Sequence, residues 1–93
     1  MPRWGGTPIT LDRYDTLHSA MGKLESVSDG APVVVLASGC RIADNVLLYA
    51  LLARASKRFG TPIAVVTSNP LWRHLAREQG LRAYGSTGSL GRA

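Results

Sequence analysis

The sequence predicts a single small α/β domain: a four-stranded, mostly parallel sheet with helices on both faces, of the Rossmann or flavodoxin-like kind. Three observations carry this. Two short, continuously apolar runs, VVVLA at 33–37 and IAVV at 63–66, have the composition of central parallel strands, which are covered on both faces. Each is followed within a few residues by apolar spacing of helical period. Strand-like and helix-like segments alternate along the chain as βαβαβαβ, the pattern of crossover units.

TPITL at 7–11 reads as a short strand, and Pro8 assigns it to a sheet edge or to the start of a strand. Asp12 then stands where an N-cap belongs, with Asp15 in the first turn. Tyr14, Leu17, Met21, Leu24 and Val27, with Ala20, form the apolar stripe of a first helix, weakened by Gly22. SDGAP is a turn. After the strand at 33–37, Asp44 or Asn45 caps a second helix that runs to about Phe59 and stops at Gly60. The strand TPIAVVTS leads into a third helix with Asn69 as N-cap and Pro70 at its first position, ended by Gly80. Its expected inner face is Leu71, Trp72, Leu75 and Ala76. LRAYG is a last short strand. Residues 1–85 are expected to form the domain, and 86–93 a flexible tail.

With right-handed crossovers, two strand orders fit. A first strand between the second and third gives 2-1-3-4, with the first helix on one face and the other two opposite. A first strand at the edge gives another helix layout. The sequence leaves both open.

Composition excludes several classes. An apolar fraction of 45% with 18% charged residues suits a folded core, not a disordered chain. The longest apolar run, 46–53, is far short of the roughly 20 residues that span a bilayer. The start, MPRWGGTPITLD, lacks the apolar core of a signal peptide. One cysteine cannot make an intramolecular disulfide. A cytoplasmic protein without membrane insertion is expected. The net charge of +5 is unevenly spread: residues 1–46 carry four cations and five acids, residues 47–93 seven cations and one acid. Such asymmetry marks either a polyanion-binding face or a solubilising one.

The segment 32–87 resembles a Rossmann-like module that recurs in bacterial proteins of unassigned activity, some membrane-associated and some baseplate-like proteins of contractile tails. The resemblance is carried by Gly39, Gly60, Val65, Val66, Thr67, Pro70, Arg73, Ala76, Gly80 and Ser86. It implies the fold and no activity. The chain departs from the pattern at Cys40 and Arg41, after the first turn.

SGCRIADN lacks the glycines of a dinucleotide fingerprint and the lysine of a P-loop. Ser38, Gly39, Cys40, Thr67 and Ser68 stand at strand ends, where open α/β sheets place ligands, so a small-ligand or phosphate site there is one alternative. Cys40 beside Arg41 has part of what activates a thiol, but no histidine is near in sequence. No metal-binding spacing occurs among Cys40, His18 and His74. No catalytic residue, metal or cofactor is assigned, and an enzyme is the less favoured class.

The second helix carries the least ordinary signal. With Leu48, Leu51, Leu52, Ala55 and Phe59 toward the sheet, the opposite face holds Val46, Tyr49, Ala50 and Ala53. An apolar outer face centred on Tyr49 predicts a protein interface, most simply in a homo-oligomer or a larger assembly. Arg54, Lys57 and Arg58, joined by Arg73 and Arg77 if the second and third helices share a sheet face, form a basic region. That region is the second alternative, a nucleic-acid or acidic-protein site, although no aromatic residue is interleaved to stack bases.

Overall fold

A computed structural model describes residues 8–26, 32–60 and 63–85. The N-terminal RWGG, Thr7, Val27, most of the SDGAP turn, Ser86 and the predicted tail lie outside them, as does the side chain of Phe59. The chain runs β1 (Pro8–Leu11), α1 (Leu17–Glu25), β2 (Val33–Leu36), a 3-10 turn (Arg41–Asp44), α2 (Val46–Phe59), β3 (Ala64–Val66), α3 (Pro70–Glu78) and β4 (Arg82–Tyr84). No helix among the described residues is long and apolar enough to cross a membrane.

The four strands pair in parallel in the order β1-β2-β3-β4, which confirms the class and puts the first strand at an edge. Burial patterns agree. Central β2 and β3 are apolar throughout, whereas β1 alternates exposed and buried, as an edge strand does. Pro8, with no N–H to donate, is placed where a missing ladder bond costs little.

The layering corrects the expectation of helices on both faces. Each right-handed crossover advances the chain one strand in the same direction, so each helix falls on the same side. Ile9, Leu11, Val34, Leu36, Val65 and Ala83 form one face of the sheet and pack with residues from all three helices. Ala20 and Leu24 come from α1, Leu48, Tyr49, Leu52 and Ala55 from α2, and Trp72 and Ala76 from α3. The other face carries Val33, Val35, Ala64, Val66 and Tyr84. No described helix packs on it.

Helix ends follow local chemistry. Asn45 caps α2 by accepting from the Leu47 amide at 2.9 Å, and Asn69 caps α3 by accepting from Leu71 at 2.9 Å and Trp72 at 3.3 Å. Gly60 ends α2 at φ 77, a left-handed conformation that favours glycine.

The first helix starts later than expected. Asp12 Oδ1 accepts from the Tyr14 amide, and Asp15 Oδ2 accepts from the Asp12 amide, both at 2.8 Å. These bonds fold 12–15 into a turn. The N-cap is Thr16, in a reciprocal capping box with Ser19. Tyr14 therefore lies outside the helix and is 77% exposed.

Candidate functional site

The second helix was expected to show Tyr49 at the centre of an exposed face. The structure overturns this: Tyr49 is fully buried, and its hydroxyl donates to the Ala43 carbonyl at 2.6 Å. The 3-10 turn ahead of α2 supplies this acceptor. With it, a phenol enters the core without an unpaired hydroxyl. Burial, the Cys40 thiol and the Asp44 carboxylate push its pKa far up. The inner face of α2 is Leu48, Tyr49, Leu52 and Ala55, while Leu51 is only half-buried. Each fully buried leucine contributes about 2 kcal/mol of apolar transfer.

What remains outward on α2 is different from the expected patch. Val46 and Leu47 are exposed at its start, Ala50 and Ala53 are half-buried along its middle, and Arg54, Lys57 and Arg58 are exposed toward its end. Leu71, expected inside, is also exposed at the start of α3. Between α1 and α2 lies a groove of about 410 Å³, with Met21, Leu51 and Ala55 as apolar lining and Arg54 and Arg58 beside them. Sequence reasoning did not find Met21 or Leu51 as surface residues. Both sit at helical core spacing, and only the gap between the two helices leaves them partly open.

In the basic region, two of the five side chains also serve the fold. α2 and α3 do share a sheet face. Yet Arg73 Nη1 donates to the Thr67 carbonyl at 2.9 Å, and Arg77 Nη2 donates to the Ala83 carbonyl at 2.8 Å. These arginines tie α3 to the residue after β3 and to the middle of β4. His74 pairs with Glu78 at 2.8 Å. Arg54, Lys57 and Arg58 have no hydrogen-bond or ion-pair partner among the described residues.

At the strand ends, the predicted ligand residues serve the turns. Cys40 is 2% exposed, and burial pushes its thiol pKa up against the lowering pull of the Ala43 and Ile42 amides. It lacks the depressed pKa of a nucleophile. Thr67 is buried, and its Oγ1 accepts from the Asn69 amide at 3.1 Å. Ser38, Gly39 and Ser68 are exposed. With strands in the order 1-2-3-4, all connections run the same way, so the sheet has no switch point at which such ligands gather. Among the described residues no cluster of His, Cys, Asp or Glu could hold a metal ion.

Fold and surface together define a small parallel α/β domain with one helical layer. Comparison with protein-family models, curated proteins and solved structures finds no match to this chain.

Proposed function

We infer that this is a non-enzymatic protein-interaction module that docks an acidic, amphipathic segment of a partner on the outer side of α2. The observation behind the reading is the α1–α2 groove, where Met21, Leu51 and Ala55 meet the guanidinium groups of Arg54 and Arg58, which have no partner among the described residues. An apolar floor beside cations is what an amphipathic helix with an acidic flank requires. The outer side of α2 carries no acid, so a second α2 offers these arginines no counter-charge. This favours an acidic partner over a homo-oligomer. Nucleic acid is the weaker polyanion reading, because Arg73 and Arg77 are committed to backbone carbonyls. A bacterial assembly, membrane-associated or baseplate-like, is the setting that the resemblance of 32–87 suggests, and the cytoplasm is the location expected from composition.

The test is titration of the protein with a synthetic helical peptide bearing a leucine face and a glutamate face, followed by amide NMR. Saturable shifts at Met21, Leu51 and Ala55 are expected, and the Arg54→Glu, Arg58→Glu double variant should weaken binding at least about tenfold. Equal binding of polyglutamate or duplex DNA overturns the reading. So does a sedimenting dimer that the double variant dissociates.

A further inference from the structure

A second cavity, of about 320 Å³, lies at the carboxyl ends of β1 and β2 and is lined by Arg13, Tyr14 and Arg41. Leu11 and Leu36 are paired neighbours in the sheet, so the loops that follow them emerge side by side. They touch: a Cβ added at Gly39 would meet Arg13 Cβ at 3.8 Å. Arg13 holds its guanidinium 5.1 Å from the centroid of the Tyr14 ring. Two loops thus bring two cations and an exposed aromatic ring to one concavity.

The charges around it are unequally committed. Asp15 is occupied by the Asp12 amide, Ser19 Oγ and Lys23 Nζ. Asp12 accepts from the Tyr14 amide, and Asp44 accepts from Trp72 Nε1. Of the carboxylates in the adjoining turns, Asp15 is paired with Lys23, whereas Asp12 and Asp44 each accept one bond from a neutral donor and keep their charge. Neither Arg13 nor Arg41 forms an ion pair among the described residues.

We propose that the Arg13–Tyr14–Arg41 cavity binds a small phosphate monoester attached to a planar group. Guanidinium forks match the oxygens of a phosphate, and two of them suit its double charge at neutral pH. Tyr14 offers a face for the planar group, which explains an aromatic side chain held 77% exposed. The volume fits a ligand of that size, at the lower end of small-molecule pockets. The site is built by two loops, not by a sheet switch point, and it is independent of the α2 groove.

The test uses the full chain with phenyl phosphate, inorganic phosphate and phenol as probes, read by amide NMR. Phenyl phosphate should give saturable shifts confined to residues 12–15 and 38–42. Arg13→Gln and Arg41→Gln should each weaken it about tenfold, the loss of one charged contact. Tyr14→Ala should weaken phenyl phosphate and leave inorganic phosphate unchanged. Arg54→Gln should change neither. All these residues are exposed, so unchanged circular dichroism is expected in every variant. No saturation at millimolar phenyl phosphate overturns the proposal, as does equal binding by the Arg13→Gln, Arg41→Gln double variant. An equal loss in Arg54→Gln would reduce it to diffuse charge attraction.

Discussion

The indole Nε1 of Trp72 donates a 2.7 Å hydrogen bond to Asp44 Oδ1, joining the first turn of α3 to the 3-10 turn before α2. Trp72 is buried and Asp44 exposed, so the bond runs from the core to its rim. It holds together the starts of two helices whose exposed residues Val46, Leu47 and Leu71 flank it in sequence.

Trp72→Phe, which keeps most of the ring, should cost about 1 kcal/mol, as should Asp44→Ala. The double variant should cost clearly less than the two together, because both remove one bond. Urea denaturation measures this. Full additivity would show that the bond contributes nothing.

Tyr49→Phe removes a buried donor and leaves the Ala43 carbonyl unpaired, for an expected loss of about 1–2 kcal/mol at neutral pH. Tyr49→Ala should cost about 3–5 kcal/mol through the cavity it opens. The phenol's pKa is raised above its ordinary 10.0, so the unfolded chain releases this proton first as pH rises. Stability contributed by the neutral phenol is complete below about pH 10 and declines above it. A thermal melt series from pH 9 upward should show this decline in the wild type and less of it in Tyr49→Phe.

The misplacement of Tyr49 shows what the sequence carries and what it does not. Strand identity was legible because VVVL and AVV are apolar at every position and PITL is not. The caps Asn45, Asn69 and Gly60 were legible because each acts within a few residues of itself. The face of α2 was not. The periodicity of VLLYALLARA admits two inner faces that share Leu48, Leu52 and Ala55 and differ by roughly a tenth of a turn, one taking in Leu51 and the other Tyr49, and the choice depends on the Ala43 carbonyl as acceptor for Tyr49. Strand order was open for a similar reason, since every crossover obeys the same handedness in either order. The arginines of α3 looked free because their acceptors are main-chain carbonyls, which no side-chain pattern reveals.

Asp15 is expected to contribute to the acid limb of the stability profile. Burial pushes its carboxyl up, but the Asp12 amide, Lys23 and Ser19 outweigh this and hold it below its ordinary 3.8. Stability from this group is therefore complete above about pH 4 and is lost as the pH falls toward the lowered value. Asp15→Asn should cost about 1–2 kcal/mol at neutral pH and flatten the acid limb of the stability profile. An unchanged acid limb would show that other carboxylates govern it.

Cys40 should behave as an inert core residue. At 2% exposure with its thiol pushed up, it should react with a disulfide reagent at least about a hundredfold more slowly in the native protein than in denaturant. Cys40→Ala should retain the fold, with a loss of about 1 kcal/mol. Native labelling as fast as in denaturant would reopen a nucleophilic role.

The two sets of arginines should separate in one experiment. Arg73 donates to the Thr67 carbonyl just after β3 and Arg77 to the Ala83 carbonyl within β4, so replacement by methionine removes both a bond and a tie between α3 and the sheet. Each is expected to lower stability by about 1 kcal/mol. Arg54 and Lys57 have no partner among the described residues, and their methionine variants should stay within about 0.5 kcal/mol of the wild type. Binding of an acidic ligand on α2 should respond the other way, falling with Arg54→Met and hardly changing with Arg77→Met. If Arg77→Met leaves stability intact and removes binding, α3 belongs to the docking surface and the basic region is the broad one that composition alone suggested.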